Sequence, residues 1–155
     1  MFHIRIATLE DIPELKTLYK NVIMSVNTKD YTSEEATDWA SCGNNEQRWT
    51  ELITELYFII VENESNTITG FSSISDSGYL HSMFVHKDFQ NMGIATLLYQ
   101  EITKYALTHN IRKITSEVSI TARPFFEKQG FIVDEEQKRK ANKLFLSNYR
   151  MSKLL

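Results

Sequence analysis

Between residues 79 and 119 the chain reads YLHSMFV, HKDFQNMG, IATLLYQEITKYALTHN, IR and KITSEVS. An alternating apolar strand runs through a turn ending in Gly93. An amphipathic helix follows, and a second strand closes the segment. Ile94, Leu97, Leu98, Ile102 and Tyr105 recur at helical spacing on one face, and Asn110 suits a left-handed stop. Strand, crossover helix and strand make a β-α-β unit, so part of the sheet is expected to be parallel. No other stretch constrains the fold as much.

The flanking segments supply antiparallel pieces. FHIRIA alternates as a strand, and TLEDIPELKTLYKNVIMSV follows as an amphipathic helix. Thr8 caps that helix, with Asp11 three residues on and Pro13 in its first turns. Leu15, Leu18, Tyr19 and Val22 share its apolar face. Residues 31 to 56 read as a broken helical region, TSEEATDWA and EQRWTELITEL around SCGNN. YFIIVE and TITGFSSIS form a hairpin about NESN. After the β-α-β unit, TARPFFEKQGF is a short helix with Thr121 as its cap, Pro124 in its first turn and Gly130 at its end. FIVDEEQKR and KLFLSNYRMSKLL are the last two strands. The expected architecture is α+β, an α/β sandwich. Its central sheet is mixed but mostly antiparallel, with six to seven strands and helices on both faces.

Composition narrows the class. The 155 residues suit one domain, 1–155, with 42% hydrophobic and 24% charged residues. The longest apolar run, LYFIIV, is too short to cross a bilayer, and the N-terminus lacks signal-peptide features. One cysteine, Cys42, excludes an internal disulfide framework and suits a reducing compartment, so a cytoplasmic location is expected. A net charge of −3 argues against nucleic acid as a partner. No membrane partner and no metal site are expected.

The turn into the central helix poses a chemical question. A helix opening after Gly93 presents unpaired N–H groups and a positive dipole end, which together favour phosphate. Taken alone, one glycine is weak evidence, and it reads first as a strand-to-helix turn with no ligand. The surroundings decide more. FVHKDFQNMGIATLLYQEITKYA resembles the acetyl-CoA pyrophosphate motif of the GNAT superfamily of N-acetyltransferases. In that family a Gln/Arg-x-x-Gly-x-Gly/Ala loop follows an apolar strand and opens a helix. Gln90, Gly93 and Ala95 hold the three signature positions. The resemblance spans the chain. IRIATLEDIPELKTLY is similar to the opening strand and helix, ITGFSSI to the strand before the motif, SITARPFFEKQGF to the strand–helix unit beyond the cofactor, and NYRMSKLL to the last strand.

The resemblance implies acetyl-CoA as cofactor and a set of contacts. Backbone at Phe84 and Val85 would pair with the pantetheine arm. N–H groups of Asn91, Met92, Gly93, Ile94, Ala95 and Thr96 would hold the pyrophosphate. Ser119 falls where many members have an asparagine, and Ala122, Phe125 and Phe126 would line the other side. Tyr31, Trp39 and Trp49 lie where the family builds its acceptor site. Members are often dimers, and a homodimer is compatible with the chain.

Acetyl transfer to an amine needs deprotonation. An alkyl amine of pKa about 10.4 is free in only roughly one molecule in 2,500 at pH 7, a deficit of roughly 4.6 kcal/mol. The thioester is already activated, so no covalent enzyme group is required, and Cys42 reads as a small apolar filler. Tyr79, His81, Met83 and Val85 alternate onto one strand face. His81, with an ordinary pKa of about 6.5, is the best base candidate, and LHSMFVHKDF resembles the base-bearing strand of aralkylamine N-acetyltransferases. A histidine packed between strands is the other reading. Glu117 is an alternative base or a solvated strand residue, and His86 is a turn residue. The family's Tyr-Glu-Lys-x-Gly-Phe pattern reads FEKQGF here, so Phe126 replaces the expected tyrosine acid. Tyr79 and Tyr149 remain as proton donors. The sequence therefore points to transfer of acetyl to a primary amine of a small molecule or peptide by direct attack. The alternative is a non-catalytic acyl-CoA sensor in which Phe126 marks lost chemistry.

Overall fold

The computed structural model describes residues 1–155. The elements follow in the order β1 (His3–Ile6), α1 (Ile12–Ser25), α2 (Ser33–Ser41), α3 (Glu46–Glu55), β2 (Tyr57–Glu62), β3 (Ile68–Ile74), β4 (Leu80–Val85), α4 (Ile94–Thr108), β5 (Lys113–Ser119), α5 (Arg123–Lys128), β6 (Ile132–Lys140) and β7 (Phe145–Leu154). The fold is α+β. β1-β2-β3-β4 form one antiparallel sheet and β5-β7-β6 another. No helix is long and apolar enough to cross a membrane.

The β-α-β unit gives less parallel sheet than its sequence suggests. β4 and β5 meet only at the parallel bridge Tyr79–Thr115. Thr115 N donates to Gly78 O at 3.0 Å, and Ser116 Oγ donates to Leu80 O at 2.7 Å. Past those bonds each strand pairs only with its antiparallel neighbour, and an opening separates them.

Two large cores hold the layers. Ile94, Leu98, Ile102 and Ala106 of α4 pack on Ile59, Val61, Ile74 and Leu80, with Ile114, Val118, Phe126, Phe131 and Met151 completing that core. On the other face Leu15, Leu18 and Val22 of α1 and Trp49 of α3 cover Phe58, Ile60 and Phe71. Helix α4 approaches β3 closely at Gly70. A Cβ there would stand 2.8 Å from Ile94 Cγ2 and 3.2 Å from Leu98 Cδ1.

Local chemistry sets the element ends. Thr32 and Glu35 exchange capping bonds at the start of α2. Thr8 N donates to Asp11 Oδ2 at 2.8 Å, but this closes a short 3-10 turn before α1 rather than α1 itself. Asn110 (φ 58°) and Gly130 (φ 96°) are left-handed stops, as expected. The cap of α5 differs from expectation. Ser119 Oγ accepts from Ala122 N at 3.1 Å, while Thr121 Oγ1 is buried without a partner. The N-cap position falls at Ala122, which offers no side-chain acceptor, and Ser119 closes the turn just before the helix.

The expected alternation in β4 also breaks. Ser73 pairs with Ser82 but Ile74 pairs with Leu80, which leaves His81 as an extra bulged residue. Leu80 therefore lies in the α4-side core, against which Met83 and Val85 also pack. Phe84 stacks on Phe71 on the α1 side, with ring centroids 5.2 Å apart. Tyr79 and His81 thus do not continue one unbroken face with Met83 and Val85.

Candidate active site

The parting of β4 and β5 opens into a cavity of about 880 Å³, within the range of small-molecule sites. β4 and the start of α4 line one side, β5 and α5 another, and the α1–α3 region and the tip of the β6–β7 hairpin line the rest.

The glycine-led turn borders this cavity. Gly93 caps α4 at φ 82°, and Asn91 is also left-handed at φ 60°. Leu97 is the first N–H of the turn to find a protein acceptor, Gly93 O at 3.0 Å. The N–H groups of residues 91 to 96 are left free, and a Cβ on Gly93 would meet nothing within 4 Å. Gln90 braces the turn from behind, Nε2 donating to Val85 O at 2.7 Å and to His86 O at 3.3 Å. Phe84, Val85, Gln90, Asn91, Gly93, Ile94, Ala95, Thr96, Ser119, Ala122, Phe125 and Phe126 all line the cavity. Met92 does not, and is 53% exposed. These residues suit a long ligand with a phosphate end and an apolar arm: free amides at one end, aromatic and aliphatic walls beyond.

A polar group sits where the strands first part. His81 and Tyr79 contact edge to face, their centroids 6.0 Å apart. Burial, and then the charge of Arg48, hold the His81 imidazole below its ordinary pKa, against the pull of Glu117. His81 Nδ1 is buried without a partner. Tyr79 Oη donates to Glu117 Oε1 at 3.4 Å, and burial beside that carboxylate pushes the phenol up to about 12. Glu117 is held in turn by Gln137 Nε2 at 2.7 Å and Arg139 Nε at 2.9 Å. Gln137 also donates to Asn148 Oδ1 at 3.0 Å.

Other residues singled out by type have different surroundings. Tyr149 is outside the cavity lining, with the Arg123 guanidinium 4.5 Å over its ring. His86 Nδ1 accepts from Asp88 N at 3.0 Å and serves the turn. Cys42 lines the cavity, but burial and then Asp38 raise its thiol pKa, and Sγ contacts Asp38 O at 3.9 Å. A thiol held protonated is a poor nucleophile. Phe126 is fully packed against Phe131 and Phe125, centroids 5.0 and 5.8 Å away.

Across the cavity, Tyr31, Trp39 and Trp49 all contribute wall. Each also has structural duties. Tyr31 Oη donates to Ser147 O at 2.6 Å and accepts from Ile120 N at 3.0 Å, and Trp49 Nε1 donates to Gly43 O at 3.0 Å. The hairpin tip is clasped to α2. The Asp38 carboxylate accepts from the backbone N–H groups of Asn142, Lys143 and Leu144 at 2.9 to 3.0 Å. A second cavity, about 610 Å³, lies beside this clasp and is lined by Ser41, Cys42, Asn44, Asn45, Arg48 and Asn142. Tyr19, Arg48, Arg139 and Asn148 also line the main cavity and were not foreseen. They come from α1, α3 and the β6–β7 hairpin, none of which carries a local motif for the site, so only the fold brings them together.

Comparison with known proteins places this geometry. The family described as "Acetyltransferase (GNAT) domain" matches residues 27–153. An uncharacterized N-acetyltransferase of Escherichia coli K12, YafP, is 23% identical over 141 residues, 91% of this chain and 88% of that protein. A GCN5-related N-acetyltransferase from Rhodopseudomonas palustris superposes with a TM-score of 0.95 at 23% identity, covering 99% of this chain and 95% of the other. The PaiA N-acetyltransferase from Thermoplasma acidophilum, solved in complex with coenzyme A, superposes with a TM-score of 0.81 at 17% identity, covering 100% and 99%.

Proposed function

The chain belongs to the GNAT acetyltransferase family, and from that premise we propose that it moves an acetyl group from acetyl-CoA to a primary amine by direct attack. The observation that carries the proposal is the free amide run from Asn91 to Thr96, opening onto an 880 Å³ cavity between parted strands. Those amides and the α4 dipole would hold the pyrophosphate. Phe84 and Val85, with Ser119, Ala122, Phe125 and Phe126 opposite, would hold the arm. When bound, acetyl-CoA supplies an activated thioester, so that the amine nitrogen bonds to the carbonyl carbon as the C–S bond breaks and the thiol leaves.

His81 takes the amine proton. Its lowered pKa keeps it neutral at pH 7 and ready to accept. Tyr79 stays protonated up to about pH 12 and is the proton donor, since it lines the cavity whereas Phe126 has no hydroxyl and Tyr149 lies outside the lining, under Arg123. Glu117, fixed by Arg139 and Gln137, orients Tyr79. The reading takes residues 1–155 as one domain acting on a soluble acceptor.

A thiol-release assay with acetyl-CoA and a panel of amines tests this. Release dependent on one amine class is expected. Thermal stabilisation by acetyl-CoA with no release from any amine would instead favour a sensor, the reading that the packed Phe126 supports.

A further inference from the structure

Four cations line the main cavity, Lys29, Arg48, Arg139 and Lys140, against one acid, Glu117. The chain itself carries a net −3, so this excess is local. Arg139 is paired with Glu117 at 2.9 Å. Arg48 has no carboxylate within ion-pair distance. Its backbone is fixed in the first turn of α3, where Asn45 Oδ1 accepts from Arg48 N at 3.1 Å. It belongs to the walls of both cavities and is the one charged residue of the smaller, which is otherwise hydroxyl, thiol and amide. Its charge is felt at His81.

A guanidinium presents a rigid fork of donors that matches a carboxylate or phosphate. The donor's pyrophosphate does not account for this one. His81 and the Asn91–Thr96 turn lie toward opposite ends of β4, and His81 to Val85 alone spans roughly 13 Å at about 3.3 Å per residue. Trp39, Trp49, Tyr19 and Phe84 stand around the same space as apolar wall.

We propose that the acceptor is a primary amine that also carries an anionic group, held by Arg48 while the amine lies beside His81 and an apolar body rests on the aromatic wall. An amino acid with an apolar or aromatic side chain has all three parts. A polyamine is disfavoured, because its second cation would face Arg48. An amine bearing a phosphate is the other source of the same charge. This inference rests on the acetyltransferase reading above and adds the acceptor class to it.

Matched acceptors test it: phenylalanine against phenethylamine, and 2-aminoethylphosphonate against ethylamine. Turnover gives kcat/KM. Quenching of Trp39 and Trp49, the only two tryptophans, gives affinity without turnover. The anionic member should be preferred by at least about ten-fold, the scale of a charged hydrogen bond. Arg48→Ala should collapse that ratio toward one, Arg48→Lys should keep part of it, and Arg48→Glu should invert it. The better of the two anionic acceptors tells carboxylate from phosphate. Equal use of the neutral members by the unmodified protein would overturn the inference. So would an Arg48→Ala loss that appears in the acetyl-CoA KM instead of the acceptor ratio. Anion-selective quenching without thiol release from any amine would keep the Arg48 site and sink the transferase reading, so the two failures are distinguishable.

Discussion

At the scale of single residues, His81 has the most to lose from a proton. Its folded pKa lies below the ordinary value of about 6.5 because burial and Arg48 disfavour the imidazolium. The unfolded chain therefore binds the proton more readily than the folded one. The neutral side chain carries no penalty above about pH 6.5, and stability falls as pH drops below it toward the folded value. Activity should show the same acid limb. His81→Ala should lower kcat by roughly 100- to 10,000-fold and remove the limb from the pH–rate profile, while Arg48→Ala should move the limb to higher pH. A profile unchanged by His81→Ala would exclude it as the base. Gly93 offers a second prediction. Alanine there has room but the wrong backbone, so Gly93→Ala should cost about 1–2 kcal/mol by denaturant titration. Any further loss of acetyl-CoA affinity would report on the turn's contact with the ligand.

At the scale of elements, the seating of α4 on β3 links the core to the site. The N-terminal residues of α4 both pack on Gly70 and border the cavity, through Ile94. Gly70→Ala must push that turn outward, since Ile94 and the Phe84 carbonyl, 3.0 Å from the new Cβ, both stand in the way. It should cost about 1–3 kcal/mol and weaken acetyl-CoA binding in parallel, measured by melting and by titration. The element pattern was legible because it depends on short-range periodicity. YFIIVE and KITSEVS are strands over their full expected lengths, and the break at SCGNN falls between two helices. The cap of α5 and the facing of β4 were not legible. The start of α5 falls at Ala122, one residue past Thr121 and without a side-chain cap, and the bulge at His81 is visible only once Ile74 and Ser73 have their partners. The free-amide turn at Gly93 was readable because its residues are contiguous. Arg48, Tyr19, Arg139 and Asn148 were not, because tertiary structure alone assembles that wall.

At the scale of the whole molecule, two sheets share one parallel bridge and a common α4-side core. A ligand lying between the sheets contacts both and binds only when both are formed. Acetyl-CoA at a hundred times its Kd should add about 2.7 kcal/mol. For a chain of this length that is roughly 5–11 °C in Tm, read by differential scanning calorimetry. No shift would remove both the enzyme and the sensor readings.

The bulge in β4 carries a consequence for redundancy. Every β3–β4 pair is made by Leu80 or by residues from Ser82 onward, and none by His81. As far as the sheet is concerned, the residue is supernumerary. Deleting it would leave Ile74 opposite Leu80 and Ser73 opposite Ser82, now in regular succession. The shortened chain should melt no lower than the parent and still bind acetyl-CoA, yet release no thiol. A fold indifferent to one of its residues would then have kept it for chemistry alone.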